Sequence, residues 1–426
     1  MTMPAAAMRP QPQGLGAYIA VTAAYWAFML TDGALRMLVL LHFNTLGFSP
    51  IQLAYLFILY EVAGIITNLS AGWIAARFGL TTTLYAGLGL QILALIALSQ
   101  LDVGWTIAAS VTFVMLVQGL SGVAKDLAKM SSKSAVKLLA PDRDGALFRW
   151  VAVLTGSKNA VKGLGFLVGA ATLAVFGFVP SVLGMAVVLA AILIAVAVRM
   201  PAGLPGGRKD AKLRDIFSND PNINWLSAAR VFLFGARDVW FVVGIPIYFY
   251  AVLSDGTAVG NRAAFFSIGI FMAVWVILYG AVQANAPNIL RAQTRGQNTM
   301  IGAARRWAGW LSLVPMMLSA MIYLAPPTAP WVVGMVILGL LIFGAGFAVN
   351  SALHSYLILS FTKDDRVTMD VGFYYMANAA GRLLGTLMSG VSYQIGGVAL
   401  CLATAAVFLV FAAVFSAKLH PVPLTA

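Results

Sequence analysis

Long apolar stretches follow one another along almost the whole chain, and they constrain its fold more than any other feature. Of the 426 residues, 61% are hydrophobic and only 10% are charged, whereas a soluble domain is about one quarter charged. Backbone groups inside a bilayer must form hydrogen bonds within their own segment, so each stretch is expected to be a helix. The sequence therefore predicts an all-α membrane protein.

Twelve of these stretches have the ~20 residues that a helix needs to cross a bilayer. We predict transmembrane helices at about 16–42, 50–76, 81–100, 105–138, 146–176, 179–199, 222–252, 261–284, 302–324, 330–361, 370–394 and 397–418. The polar segment 200–221 divides them into six and six. This division predicts an N-terminal half (1–199), a cytoplasmic linker (200–221) and a C-terminal half (222–426).

Basic residues are concentrated in alternate connections. One set carries Arg77, Arg143, Arg199, Arg208, Lys209, Lys212, Arg214, Arg291, Arg295, Lys363 and Arg366. The other set contains no lysine or arginine, apart from Arg262 at the edge of one connection. The positive-inside rule then places both termini in the cytoplasm. The net charge of +13 is explained first by this anchoring, and no nucleic-acid partner is expected.

The two halves resemble each other in short stretches. Aligning Gly165 with Gly385 places Lys162 on Arg382, and aligning Gly119 with Gly344 places Lys129 on His354. Two related six-helix halves joined by a basic loop resemble the major facilitator superfamily of transporters. This resemblance implies pseudo-symmetric halves, with a binding site near mid-membrane between them.

The stretch GWIAARFGL (72–80) also resembles a signature of that superfamily. Gly72, Arg77 and Gly79 match, but Ala76 stands where the signature has an acid. The salt bridge usually made by that acid therefore has no matching residue here. The Gln118-Gly119 pair resembles a second superfamily pattern, and the alignment places Lys125 and Lys129 near mid-membrane.

Four lysines recur at every fourth position of the predicted fourth helix: Lys125, Lys129, Lys133 and Lys137. On an α-helix they form one stripe with about 6 Å of rise between neighbours. A lysine near the bilayer centre costs about 2.5–3.5 kcal/mol, so the stripe indicates a negative partner. Lys133 and Lys137 have the alternative of reaching cytoplasmic water.

Charged residues also interrupt other predicted helices. The basic ones are Arg36, Lys125, Lys129, Lys133, Lys158, Lys162, Arg230, Arg237 and Arg382, and the acidic ones are Asp32, Glu61, Asp126 and Asp238. Nine cations facing lipid would cost on the order of 20 kcal/mol, more than the ~5–15 kcal/mol stability of a typical fold. We therefore expect a cationic cavity and an anionic, multiply charged substrate.

The residues predicted to bind this substrate are Arg36, Lys125, Lys129, Lys158, Lys162, Arg237 and Arg382. Structural alternatives remain open for some of them. Asp32 and Arg36 have the i,i+4 spacing of an intrahelical ion pair. Asp126 can reach Lys129 at i+3, which would leave Lys125 free.

Several other charged residues have two interpretations. Glu61 is either a proton-coupling carboxylate or a partner for a cation, and Asp32 is a second candidate for proton coupling. Arg237 and Asp238 point in different directions on a helix, so they are not expected to pair. Arg230 has the alternative of an interfacial position, and we expect His354 to be a hydrogen-bonded structural residue.

Features of enzymes, metal sites and sensors are not found in the sequence. The three histidines are far apart, so no metal site or cofactor is expected. No acid/base pair or nucleophile cluster indicates an enzyme acting on phosphate esters. The segment 200–221 is too short to be the output domain of a sensor. The single cysteine, Cys401, excludes an intramolecular disulfide.

Five stretches together resemble the ArsJ-type organoarsenical efflux permeases. They are TDGALRMLVLLHF (31–43), GLSGVAKDLAKMSSKSAVKLL (119–139), LTGSKNAVKGLGF (154–166), NSALHSYLIL (350–359) and DVGFYYMANAAGRLLGTL (370–387). The resemblance implies a bacterial inner-membrane protein that exports 1-arseno-3-phosphoglycerate and so confers arsenate resistance. The implied functional partner is the glyceraldehyde-3-phosphate dehydrogenase that makes this compound.

The implied substrate agrees with the charges, because it carries an oxyanion at each end. Trivalent arsenic prefers thiolates, and one cysteine cannot form a site with two or three thiols, which argues against arsenite transport. The residues themselves indicate only a transporter of an anion. A transporter of another phosphorylated metabolite or organic anion is therefore the alternative.

Overall fold

The computed structural model describes residues 13–102, 104–139, 146–199, 218, 220–290, 297–362 and 367–420. These residues form thirteen helices. They are α1 (Gln13–Thr45), α2 (Pro50–Tyr55), α3 (Ile58–Leu69), α4 (Ala71–Leu98), α5 (Ile107–Leu139), α6 (Ala146–Phe176), α7 (Phe178–Arg199), α8 (Pro221–Phe241), α9 (Gly244–Leu253), α10 (Ala258–Leu290), α11 (Gln297–Leu324), α12 (Pro330–Phe361) and α13 (Val367–Ser416).

Eleven stretches of the described chain are long and apolar enough to cross a membrane. The predicted all-α membrane class is therefore confirmed. The last stretch, Asp370–Ser416, has 47 residues and covers the predicted helix 370–394 and most of the predicted helix 397–418. A straight helix of that length would extend about 70 Å, more than twice the ~30 Å hydrocarbon core.

Helix α13 reverses its direction at Gly396 and Gly397. The backbone is non-helical at both residues, and Gly397 has a φ of 61°, a conformation that glycine adopts without steric cost. Ser392 Oγ lies 3.1 Å from Thr404 Oγ1 across the glycine pair. Cys401 Sγ lies 3.6 Å from the carbonyl oxygen of Ser389. These contacts require two antiparallel arms, so α13 is a helical hairpin.

Two predicted helices are divided in the structure. The predicted helix 50–76 consists of α2, α3 and the start of α4, and the predicted helix 222–252 consists of α8 and α9. At the second break, Ser389 Oγ of α13 accepts hydrogen bonds from the N–H groups of Val243 and Gly244, both at 3.2 Å. Without water, freed backbone groups need such a partner.

Glycines allow the helices that carry charged residues to approach closely. A Cβ added at Gly33 of α1 would lie 2.5 Å from the carbonyl oxygen of Lys162 in α6. A Cβ at Gly385 of α13 would lie 2.6 Å from the carbonyl oxygen of Gly235 in α8. Small residues permit this kind of backbone contact in membranes, and here they bring charged side chains of different helices within reach.

The predicted linker 200–221 lies outside the described residues except for Ser218, Asp220 and Pro221. Asp220 caps α8, because its Oδ1 accepts from the N–H groups of Asn222 and Ile223 at 2.8 and 3.4 Å. The basic connection residues Arg143, Arg208, Lys209, Lys212, Arg214, Arg291, Arg295, Lys363 and Arg366 also lie outside the description. The orientation in the membrane therefore stays a prediction.

We expect Ser389→Ala to lower the free energy of unfolding by about 1–3 kcal/mol, because two buried N–H groups lose their acceptor. Thermal unfolding of the purified protein in detergent measures this change. Ser99→Ala is the matched control, because the Ser99 hydroxyl donates to Ile96 in an exposed position. Equal losses in the two variants would contradict the role assigned to Ser389.

Candidate functional site

Charged side chains from α1, α3, α5, α6, α8 and α13 meet inside the protein. The four acids, Asp32, Glu61, Asp126 and Asp238, are no more than 3% exposed. Of the nine basic residues predicted inside the membrane, the structure describes the side chains of eight, and all eight are buried or half-buried. Within the described chain these cations outnumber the acids two to one.

Glu61 of α3 binds two arginines at once. Its Oε1 accepts from Arg36 Nη2 of α1 at 2.8 Å, and its Oε2 lies 2.6 Å from Arg382 Nη2 of α13. The sequence left two roles open for Glu61, and the structure makes it the partner of two cations. This carboxylate ties a helix of the predicted C-terminal half to two helices of the predicted N-terminal half.

Asp32 of α1 is held by residues from two other helices. It accepts from Lys162 Nζ of α6 at 2.7 Å and from the Tyr60 hydroxyl of α3 at 2.5 Å. The intrahelical pair between Asp32 and Arg36 that the spacing allowed is therefore not formed. Interhelical partners replace it, because the close packing of α1 and α6 brings Lys162 beside Asp32.

Lys125 of α5 is buried without a counter-charge of its own. It is 7% exposed, and its Nζ has no hydrogen-bond partner within the described chain. The ammonium lies over the ring of Tyr60, 4.0 Å from the ring centroid. A cation–π contact contributes about 0.5–2 kcal/mol, which is less than a buried ammonium loses by leaving water.

The carboxylate of Asp126 is bound by Lys129 of the same helix and by Thr67 of α3. Lys129 Nζ lies 3.5 Å from Asp126 Oδ1 and donates to Asn68 Oδ1 at 2.7 Å. The hydroxyl of Thr67 donates to the other oxygen of Asp126. The predicted i+3 contact between Asp126 and Lys129 is confirmed. Asp126 therefore does not serve as the ion-pair partner of Lys125, as the spacing indicated.

Arg237 and Asp238 form an ion pair, so the prediction that they do not pair was wrong. Arg237 Nε lies 2.5 Å from Asp238 Oδ1. The long arginine side chain reaches the adjacent carboxylate, which the directions of the two Cβ atoms do not reveal. Its guanidinium also lies 5.0 Å from the ring centroid of Phe234 and 5.5 Å from that of Phe347.

The remaining predicted lysines have different positions. Lys158 of α6 is half-buried, one turn before Lys162. Lys133 and Lys137 continue along α5, but their side chains lie outside the description. Substrate contact by any of the predicted residues, and proton coupling through Asp32 or Glu61, stay predictions.

Some residues were placed wrongly or overlooked from the sequence. Tyr60 was missed. Its hydroxyl donates to Asp32, and its ring lies under the ammonium of Lys125. The position of Tyr60 next to Glu61 in the sequence predicts neither contact. Arg230 is 4% exposed, so it is buried inside the protein, and its depth in the membrane stays a prediction. His354 was expected to be hydrogen-bonded, but both ring nitrogens lack a hydrogen-bond partner among the described residues.

The described residues contain no group of three or more histidine, cysteine, aspartate or glutamate side chains that could hold a metal ion. Cys401 is buried and free. In its described part, the site therefore consists of ammonium, guanidinium, carboxylate and phenol groups. The ammonium, guanidinium and phenol groups can bind an anion through charge and hydrogen bonds, whereas the carboxylates compete with it.

Two transporters are among the solved structures that share the fold of this chain. A crystal structure of a mutant of the nucleoside transporter NupG matches with a TM-score of 0.66 and 14% identity, over 96% of this chain and 98% of that one. A crystal structure of a POT family transporter in complex with 5-aminolevulinic acid matches with a TM-score of 0.71 and 16% identity, over 96% of this chain and 97% of that one.

No protein-family model and no curated protein match the sequence. At these identities the two structures establish the fold and nothing about the ligand. The chain therefore shares the fold of these two transporter structures.

Proposed function

We propose that this protein is a membrane transporter that moves a multiply charged anion by alternating access. The observation that carries the proposal is Lys125, a buried ammonium whose Nζ has no hydrogen-bond partner within the described chain. All four neighbouring acids are engaged elsewhere. The cluster therefore keeps a positive excess, and an anionic ligand is the group that would neutralise it.

A ligand at this position would meet cations from both sides of the molecule. Gly64 of α3 lies next to this position. A Cβ added at Gly64 would lie 3.4 Å from Arg382 Nη2 and 3.8 Å from Asp126 Oδ2. Arg36 and Arg382 share one carboxylate, so each guanidinium keeps donors for a second acceptor. An oxyanion arriving between them would compete with Glu61 for both arginines.

This competition gives a physical basis for alternating access. While Glu61 binds Arg36 and Arg382, α3 is tied to α13. Separating a buried ion pair without a replacement costs about 3–5 kcal/mol. An incoming oxyanion supplies the replacement, so that binding lowers the cost of moving the two sides apart. Asp32 and Glu61 are the candidate proton carriers, and each would take up a proton only after release from its cations.

The proposed substrate is 1-arseno-3-phosphoglycerate, exported from the cytoplasm with arsenate resistance as the result. Support comes from the resemblance of five sequence stretches to the ArsJ-type permeases, and from the positive excess, which suits an oxyanion at each end. The site residues are Arg36, Lys125, Lys129, Lys158, Lys162, Arg237 and Arg382. A transporter of another phosphorylated metabolite or organic anion is the alternative that the same charges support.

We further propose twelve membrane crossings, with the two arms of the α13 hairpin counted separately. They would form halves at 1–199 and 222–426, joined by a cytoplasmic linker. Both termini would lie in the cytoplasm, and the membrane would be the bacterial inner membrane. A glyceraldehyde-3-phosphate dehydrogenase would supply the substrate. On this proposal the chain itself catalyses no reaction.

We expect Lys125→Met to reduce transport at least about tenfold, because the cation without a counter-charge is lost; a tenfold change corresponds to only about 1.4 kcal/mol. Stability should stay equal or rise, because an apolar side chain of similar length replaces a buried charge. Everted vesicles supplied with the dehydrogenase, NAD⁺, glyceraldehyde 3-phosphate and arsenate provide the flux assay. Their arsenic uptake measures transport.

Lys418→Met is the matched control for this experiment. Lys418 is exposed and lies 4.3 Å from the ring centroid of Trp225, far along the chain from the charged cluster. Its substitution should leave arsenic uptake unchanged. Normal uptake by Lys125→Met would remove Lys125 from the site and with it the main support for the proposal.

We expect Glu61→Gln to bind the anion more tightly and to transport it more slowly. Removal of the competing charge frees both arginines for the ligand, and release then slows because no carboxylate returns to displace the anion. Anion titration of the purified protein and vesicle flux measure the two effects separately. Asp102→Asn, at an exposed position, is the control. Weaker anion binding by Glu61→Gln would contradict competition.

Cells that express the transporter alone should show no arsenate resistance, and cells that also express the dehydrogenase should grow in arsenate. The reason is that only the product of the dehydrogenase carries both oxyanions. Growth inhibition curves with and without each gene test this expectation. Resistance from the transporter alone would favour direct export of arsenate, and no resistance in either case would favour the alternative substrate class.

A further inference from the structure

A second set of buried polar side chains lies between α8, α12 and α13. It does not include any of the four acids described above. Arg230 of α8 is 4% exposed. Its Nη1 donates to the carbonyl oxygen of Ser351 in α12 at 3.0 Å. Its guanidinium lies 4.0 Å from the ring centroid of Phe234 and 4.7 Å from that of Tyr374. None of the described carboxylates forms an ion pair with it.

Asn350 and His354 of α12 lie within one helical turn of Ser351, whose carbonyl oxygen accepts from Arg230. Asn350 and His354 are one helical turn apart on the same face, and both are fully buried. The amide oxygen and nitrogen of Asn350 and both ring nitrogens of His354 lack hydrogen-bond partners within the described chain. Arg230 Nε also lacks a hydrogen-bond partner within the described chain.

Buried polar groups of this kind are normally satisfied by protein, water or a ligand. Here the unsatisfied groups include a guanidinium, an amide and an imidazole, all of which can donate hydrogen bonds. The cluster also carries a positive charge with no carboxylate beside it. A tetrahedral oxyanion matches this set, because it supplies several acceptors together with the missing negative charge.

We propose that Arg230, Asn350 and His354 form a second oxyanion subsite. It takes one terminal oxyanion of a substrate whose other end is held by the cations around Lys125, so the inference rests on the proposed function and deepens it. Arg230 and Arg237 are seven residues apart on α8, which corresponds to about 10 Å of rise. A three-carbon chain with an oxyanion at each end can span this separation when the side chains reach toward it.

Stable probes test the two ends independently. The purified protein in lipid nanodiscs is titrated with propane-1,3-diyl bisphosphate, propyl phosphate and inorganic phosphate. Linked ends bind more tightly than separate ends, so the bisphosphate should bind the unaltered protein at least about tenfold more tightly than propyl phosphate. In Arg230→Gln and in Asn350→Leu, this advantage should fall below about threefold, with propyl phosphate binding unchanged.

Asn350→Leu keeps the test decisive if Arg230→Gln does not fold. It replaces an unsatisfied amide with an apolar side chain of similar size, a change that is often neutral or stabilising. The matched control is Arg262→Gln, which removes an exposed arginine at the start of α10. This variant should keep the whole advantage of the bisphosphate.

The other outcomes overturn the inference in distinguishable ways. An undiminished advantage in both variants would mean a water-filled polar pocket and would leave the proposed function standing. Inorganic phosphate that binds equally with or without bound bisphosphate, and is lost in Arg230→Gln, would indicate an independent anion site. No binding of any oxyanion by the unaltered protein would overturn the proposed function as well.

Discussion

The carboxylate of Glu61 between Arg36 and Arg382 is the interaction on which the rest of the site depends. One buried negative charge serves two cations from different parts of the fold. In a low-dielectric interior this arrangement holds the helices together, but it leaves the pair of arginines with a net positive charge. An anion that replaces Glu61 would therefore be bound by the same arginines that Glu61 now joins.

Tyr60, which precedes Glu61 on α3, connects this bridge to the other charges. Its hydroxyl donates to Asp32 and its ring lies beneath Lys125. Because Asp32 is also bound to Lys162, a movement of α3 would disturb α1, α5 and α6 together. Rigid support comes from the close helix contacts at Gly33 and Gly385, and from Ser389, which satisfies the backbone at the break between α8 and α9.

Charged residues in apolar helices were recognisable from the sequence, because each one interrupts a stretch of apolar residues. Apolar residues are favoured both in contact with lipid and in a packed core. Their partners were less predictable. Helical spacing was correct for Asp126 and Lys129, which lie one turn apart on the same helix. It was misleading for Asp32, whose partners Lys162 and Tyr60 come from other helices. It also failed for Arg237, because a long side chain can bend toward an adjacent residue.

The sequence by itself determined the helical membrane class and the need for negative charge in the interior, because both follow from composition and from the cost of burying cations. The positions of most helices were predictable for the same reason. Tertiary structure decided that α13 is a hairpin, that Glu61 binds two arginines and that none of the described carboxylates pairs with Lys125. These features depend on how the helices are rotated and how closely they approach, and residue spacing along one helix contains no information on either.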